Sequence, residues 1–435
     1  MKFRIGIRRE DKNQWEKRVP LIPSHVKELI LENSLEIWLH PSSIRIFSDE
    51  DYKQIGARIE EDLSPCPVIF AIKEIPLSFL EKGKVYVFFS HTTKGQPHNM
   101  PMLKKMIELE CTLIDYEKIA DGKNRRLLFF GRQAGLAGML ETLWTLGQRI
   151  LCEKIENPFS SIKRAFEYKS LVDAKEEIKQ VGWKIHNEGL PPPLIPLICG
   201  FAGYGNVSQG AQEIFDLLPF EEISPEKISS FFREKNYAGN RLYKTVFKEE
   251  HMVEPISSES KFDLQDYYDN PQKYKPVFES YLEYLTVLVN CIYWEPKYPK
   301  FVTKKFLKKI YGNISSPRLR VIGDITCDID GSVECTVKAT SPDNPVFTYN
   351  PLEERAVDGI EGRGLVVMSV DNLPAEIAFE SSVSFSKALK PFVYAVASAD
   401  YNRDFAELQL PDEVNKAVIL YRGKFTSDYL YMRNF

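Results

Sequence analysis

The sequence predicts an α/β protein built as two units, each around a parallel sheet. Two observations carry that prediction. Short apolar runs alternate with amphipathic, helix-like runs over the first 130 or so residues, and strands spaced by helices make parallel sheets. A second series then begins at "PLICGFAGYGNVSQGAQEIF" (196–215), where an apolar strand runs into clustered glycines and a helix. The length, 435 residues, is enough for two or three separate cores.

Taken in order, the first strands are expected at 2–8 (KFRIGIR), 35–39 (LEIWL), 67–72 (PVIFAI), 84–89 (KVYVFF) and 112–116 (TLIDY). Between the first two lies a helix from Ser24 to Glu32, where Ser24 can cap and Val26, Leu29 and Ile30 share a face. "MPMLKKMIELE" reads as another helix. A long proline-free helical run follows at about 135–153, suited to bridging two domains, then a charged helix at 168–188 and the break "LPPPLIP". The second series has strands at 196–202, 285–292 (LTVLVNCI) and 319–325 (LRVIGDI). The polar, tyrosine-rich stretch at about 225–283 is expected to be a partly helical surface insertion. From about 365 come a strand (LVVMSV), the turn "DNLP" and helical runs to the C-terminus.

Composition narrows the function. Apolar residues make up 43% and charged ones 27%, an ordinary globular balance, and the net charge of −4 is interspersed along the chain. Neither a basic face for nucleic acid nor a polybasic membrane patch is present. Seven cysteines without a C-x-x-C pair suit a reducing compartment, and six scattered histidines offer no metal cluster. No apolar run approaches the roughly 18 residues of a membrane span, and the N-terminus has no signal-peptide core. The expectation is a cytoplasmic protein without metal.

Two constellations carry chemistry. In Gly203-x-Gly205-x-x-Ser208 the glycines allow a tight turn and close approach to a pyrophosphate, and the following helix aims free amides at it. Ser208 stands where a third glycine is usual; it is small, as the packing there requires, and Gly210 adds another small residue. The same stretch also suits a plain βα turn, although the strand before it and the helix after it weigh toward a cofactor. Glu221 and Glu222 stand at about the distance of a ribose-binding acid, yet Ser224 and Lys227 follow, leaving the choice of dinucleotide open. The second constellation is N-terminal. Lys73 and Glu74 end one strand, His91 follows another, Asp115 and Glu117 end a third, and Lys12 and Arg18 follow the first. Ligands collect at the carboxyl ends of parallel strands, and a mainly cationic set suits a carboxylate-rich substrate. Charged residues after strands are also common as solvated loop ends.

The blocks "GIRREDKNQWEKRVPLIPSHVKEL", "AIKEIP", "FFSHTTKGQ", "LIDYEKIADGKNRRLLFFGRQAGLAGM", "GYGNVSQGAQEIF", "VNCIYWE", "VIGDITCDIDGSVE" and "SVDNLPAE" together resemble the lysine-ketoglutarate reductase family, the lysine-forming saccharopine dehydrogenases. The likeness spans nearly the whole chain. More distantly, the layout resembles alanine dehydrogenase and the first transhydrogenase domain. The resemblance implies two Rossmann-like domains with a cleft between them. The first is discontinuous (1–137 and 365–435, substrate and catalysis), and the second is dinucleotide-binding (138–364).

It implies condensation of lysine's ε-amine with 2-oxoglutarate and reduction of the imine to saccharopine, with NADP(H) favoured and NAD(H) possible. Lys73 and His91 would handle protons; Lys12, Arg18, Glu74, Glu117 and Arg126 would bind substrate and tune the pair. Gly203, Tyr204, Gly205, Asn206 and Val207 would hold the pyrophosphate. Cys291, Ile292, Tyr293, Asp324, Asp371 and Leu373 would line or close the nicotinamide site. Bifunctional members continue into a saccharopine-oxidising domain, so that step is expected to lie elsewhere. The alternatives are another amino-acid or opine dehydrogenase on the same scaffold, or a silent regulator binding lysine or a dinucleotide.

Overall fold

A computed structural model describes residues 3–314 and 317–435, which leaves Lys2, at the start of the first expected strand, outside the described residues. The chain forms two compact units, Met1–Phe130 with Ala378–Phe435, and Gly131–Ile377.

The first unit holds a sheet whose strands are β1 (Arg4–Ile7), β2 (Glu36–Leu39), β3 (Arg58–Ile59), β4 (Val68–Phe70), β5 (Val85–Phe88), β6 (Thr112–Asp115), and, from the end of the chain, β17 (Val418–Tyr421) and β18 (Lys424–Phe425). Their order is β18-β17-β6-β5-β4-β1-β2-β3. β1 to β6 run parallel; β17 adds antiparallel to β6, and β18 antiparallel to β17. Every residue of β4, β5 and β6 is buried, as a sheet covered on both faces demands. The helix expected from Ser24 instead spans Pro23–Asn33 with Ile22 at its cap position. Proline's preset φ suits the first helical turn, and the Ile22 N–H finds its partner in Ser386 Oγ at 3.0 Å. Ser386 lies on the helix Ala378–Ser398, which returns the chain to this unit.

The second unit carries a sheet of β7 (Ile198–Ala202), β8 (Phe220–Glu222), β9 (Leu242–Phe247), β12 (Val287–Asn290), β13 (Val321–Asp324), β14 (Val346–Asn350), β15 (Arg355–Asp358) and β16 (Leu365–Met368). The order is β15-β14-β16-β13-β12-β7-β9-β8, with β14 alone running against the rest, antiparallel to both β15 and β16. A separate hairpin pairs β10 (Val253–Pro255) with β11 (Tyr274–Pro276).

Two sequence expectations need correction here. Residues 225–283 are not all an insertion, because β9 is an interior strand of the sheet with Leu242, Tyr243, Thr245 and Phe247 buried. The pattern hides behind Lys244, whose stem is buried while its amine reaches Asp216 at 2.9 Å and lies over the Phe220 ring at 4.3 Å. And residues 365–368 complete the second sheet, so the chain rejoins the first unit at Ala378 rather than at 365; the forward boundary falls at Gly131, the start of the long helix Gly131–Cys152. That helix and the helix Asn206–Phe215 touch through glycines: a Cβ on Gly210 would lie 2.1 Å from the Arg132 carbonyl oxygen. No helix among the described residues is long and apolar enough to cross a membrane.

Candidate active site

The first unit gathers its ionisable residues at the carboxyl ends of β1, β4, β5 and β6. Lys73 follows the end of β4 by three residues, where the chain turns out of the sheet. Its position is set by Glu10, a buried carboxylate that accepts the Ile72 N–H at 2.6 Å and the Lys73 N–H at 3.0 Å. Burial, reinforced by the charge of Glu16, raises the Glu10 carboxyl to about 7. The Lys73 amine is pushed below its ordinary value, first by burial and then by the positive charges of Arg18 and Lys12. An amine so shifted can lose and regain a proton closer to neutrality.

Glu74 is the hub of the next layer. Its Oε1 lies 2.7 Å from His91 Nδ1 and its Oε2 3.4 Å from Lys12 Nζ. Burial alone would raise its pKa, but the hydrogen bond and charge of His91, with Lys12, hold it at about 2. A permanently ionised carboxylate on Nδ1 selects the Nδ1–H tautomer and leaves Nε2 as the working nitrogen. His91 itself sits at φ 49°, in the left-handed region that side chains seldom adopt. It is held there by its flanks. Ser90 donates its N–H (3.2 Å) and its hydroxyl to the buried Asp115 carboxylate, and Asn99 Nδ2 donates to the His91 carbonyl at 3.2 Å. Asp115 also accepts the Glu117 N–H at 2.7 Å, and burial raises its pKa despite these bonds.

Aromatic rings close the set. Phe89 stacks on His91 with centroids 6.1 Å apart, and Arg126 lies 5.5 Å over Phe89 while reaching Glu117 at 3.4 Å. Phe130 stacks on Phe385 at 4.8 Å, and Arg18 lies 4.3 Å above Phe130. The structure therefore connects Lys12, Glu74, His91, Arg126 and Glu117 through contacts. Arg18 is engaged within the protein. It is buried and forked onto the Glu16 carboxylate at 2.7 and 2.6 Å, a geometry that neutralises much of its charge. Glu10 and Glu16 escaped the sequence reading because a charged stretch such as "REDKNQWEKR" looks like a solvated loop; nothing in it signals burial.

The second unit offers the glycine turn. Gly203 has φ +95° and donates its N–H to the Phe247 carbonyl at 2.9 Å; a side chain there would be strained and its Cβ would lie 2.9 Å from Ile292. Above Gly205 a Cβ would meet nothing within 4 Å, and the helix Asn206–Phe215 begins without a side-chain cap. An open cradle of uncapped amides is what a dinucleotide's pyrophosphate fits. Ser208 is fully buried and accepts from Gln212 Nε2 at 2.9 Å, so the fingerprint's missing glycine costs no packing.

The remaining candidates separate. Ile292 packs on Gly203. Tyr293 is exposed and bonds Glu295 at 2.6 Å, and Asp371 is exposed. Cys291 is buried, which raises its thiol pKa and keeps it protonated. Asp324 and Leu373 are both buried. Asp324 is buried and accepts from Asn290 (2.8 Å), Thr326 (3.0 Å), Thr336 (2.5 Å) and the Cys327 N–H (3.2 Å), so it clamps the loops after β12 and β13. Leu373 is in the core, with its Cδ1 3.1 Å from where a Gly138 Cβ would stand.

Residues 6–137 match the family model of the alanine dehydrogenase/PNT N-terminal domain. The chain is 39% identical over 445 residues to an alpha-aminoadipic semialdehyde synthase of Arabidopsis thaliana, covering 98% of this chain and 41% of that protein. It is 32% identical to the mitochondrial alpha-aminoadipic semialdehyde synthase of Mus musculus, covering 99% and 47%. It thus spans less than half the length of these relatives. A saccharopine dehydrogenase (NAD(+), L-lysine-forming) of Emericella nidulans is 26% identical, covering 89% of this chain and 90% of that one. Among solved structures, an L-alanine dehydrogenase superposes with a TM-score of 0.61 at 16% identity over 99% of both chains. A transhydrogenase from Sinorhizobium meliloti does so at 0.57 and 13%, over 97% and 98%. At such identities these two bear on fold alone.

Proposed function

From the premise that the chain is a relative of the alpha-aminoadipic semialdehyde synthases and the lysine-forming saccharopine dehydrogenases, we propose that it interconverts lysine plus 2-oxoglutarate and saccharopine with a nicotinamide dinucleotide. The observation that carries this reading is the cluster at the carboxyl ends of β1, β4 and β5, where Glu74 contacts both His91 and Lys12 and Lys73 directly precedes Glu74. Imine formation needs one group to take a proton from the attacking amine and to protonate the departing hydroxyl. Lys73, with its lowered pKa and its backbone pinned by Glu10, suits that exchange. His91, oriented through Nδ1 by Glu74, handles the second proton at Nε2. Lys12 and Arg126, each partly exposed, supply positive charge for substrate carboxylates. Gly203 to Val207 would hold the dinucleotide, which when bound supplies the hydride that reduces the imine.

The test is Lys73→Met in a spectrophotometric assay with lysine, 2-oxoglutarate and reduced dinucleotide. Turnover should fall by about 10³-fold or more, while dinucleotide binding, measured by fluorescence titration, should stay unchanged. Equal turnover in the variant removes Lys73 from the reaction. Turnover of wild type with alanine or another amino acid, and none with lysine plus 2-oxoglutarate, favours a different dehydrogenase on the same scaffold.

A further inference from the structure

Spacing along the sequence puts the ribose-reading acid of the dinucleotide site at Glu221 or Glu222. The strand order puts it elsewhere. In open α/β sheets the residue that reads the ribose leaves the strand beside the glycine-turn strand. The neighbour of β7 is β9, not β8. β7 and β9 run in parallel register and end level, Ala202 opposite Phe247. The Gly203 N–H donates to the Phe247 carbonyl at 2.9 Å, so the glycine turn is tied to that strand end. β8 lies one strand further out, and its last residue, Glu222, stands opposite Lys244. That is three residues, or roughly 10 Å, short of the end of β9. Its acids are also engaged there, Glu221 with Arg241 at 3.3 Å and Glu222 with Lys244 at 3.8 Å.

The segment that leaves β9 is Lys248-Glu249-Glu250. Glu249 is held against the glycine turn from two sides. The hydroxyl of Tyr204, the residue between the two turn glycines, lies in hydrogen-bonding reach of Glu249. Tyr268, from the tyrosine-rich segment, donates its hydroxyl to Glu249 Oε1 at 2.7 Å. Burial, then the charges of Glu249 and Glu250, pushes the Tyr204 hydroxyl above its ordinary value, which keeps it a donor. The two tyrosine hydroxyls leave carboxylate lone pairs for further donors, because an ionised carboxylate accepts about four.

Resting on the dinucleotide reading above, we infer that Glu249, positioned by Tyr204 and Tyr268, reads the adenosine ribose, and that the chain prefers NAD(H) to NADP(H). A carboxylate pairs with a vicinal diol by accepting its hydroxyl protons. A 2′-phosphate would bring its negative charge against Glu249 and Glu250, with Lys248 the one cation in that run. Repulsion of this kind discriminates against the wrong ligand rather than merely favouring the right one. The tyrosine-rich segment thereby gains a role: it holds the discriminating acid in place.

Calorimetric titration of the full chain with NADH and with NADPH tests this without relying on turnover. NADH should bind at least about ten-fold more tightly than NADPH. Glu249→Ser should bring the two affinities within about three-fold, chiefly by improving NADPH, whereas Glu221→Ser on the outer strand should leave the ratio as in wild type. Tyr268→Phe should narrow the ratio less than Glu249→Ser does. Tighter binding of NADPH by wild type, an unmoved ratio in Glu249→Ser, or a shifted one in Glu221→Ser overturns the assignment while leaving the dinucleotide site intact. Binding of neither nucleotide overturns both the assignment and the reading beneath it.

Discussion

The two sheets present the same kind of edge and arm it in opposite ways. At the carboxyl ends of β4 and β5, charge is concentrated and only partly compensated: Lys73 is shifted down, Glu74 is held ionised, and His91 stays half-exposed beside it. At the ends of β12 and β13, the buried acid Asp324 accepts from four donors of the protein itself. Beside it, the glycine turn offers backbone and space instead of charge. On the proposed function, the first edge moves protons and the second holds a ligand still. The difference lies in whether each ionisable group is left with an unsatisfied valence.

If that division holds, substitutions on one edge should leave the other edge's readout untouched. The largest effect expected is at His91. His91→Ala should lower kcat by about 10²- to 10³-fold and flatten one limb of a bell-shaped pH profile, with dinucleotide affinity unchanged. A matching loss of affinity would show that the two edges are not separable. Gly203→Ala should do the reverse. Its Cβ would lie 2.9 Å from Ile292 at a φ of +95°, a strain of about 1–3 kcal/mol, so dinucleotide binding should weaken by about ten-fold. The pH profile of the remaining turnover should keep its shape.

How far the sequence could be read follows the same line. Lys73, Glu74 and His91 were legible because each follows an uninterrupted apolar strand, so that a charged residue marks the point where the chain leaves the sheet. The glycine turn was legible for the same reason. β9 was not, since Lys244 breaks its apolar pattern and the compensating Asp216 lies 28 residues away. With β9 hidden, spacing along the sequence points to the acids of β8 instead. Nor were Glu10, Glu16 and Asp324, whose burial depends on donors from other strands and loops. Short-range pattern reports where strands end; it carries no information about which charges are matched across the sheet. The resemblance to known enzymes supplied roles for Arg18 and Asp324, and the structure shows each already engaged by the protein.

The smallest effect expected is on stability, and there the two edges should differ in sign. The Glu74 carboxyl is held at about 2, below its ordinary 4.5. A depressed acid contributes stability that is full above its unfolded value and is lost as pH falls through its folded one. Glu74→Gln should therefore destabilise most near neutrality, and the deficit should shrink as the solution is acidified. Asp324 is shifted the other way, raised from 3.8 by burial. A raised acid contributes most below its unfolded value and loses that contribution as pH climbs through the folded one. Asp324→Asn turns an amide toward several donors, which costs about 1–3 kcal/mol, and that deficit should be largest in acid and diminish toward neutrality. Denaturant melts of both variants across the acid range measure the two slopes directly. Parallel slopes would mean that Asp324 is ionised and stabilising like Glu74, and that the contrast between a working and a saturated carboxylate is mistaken.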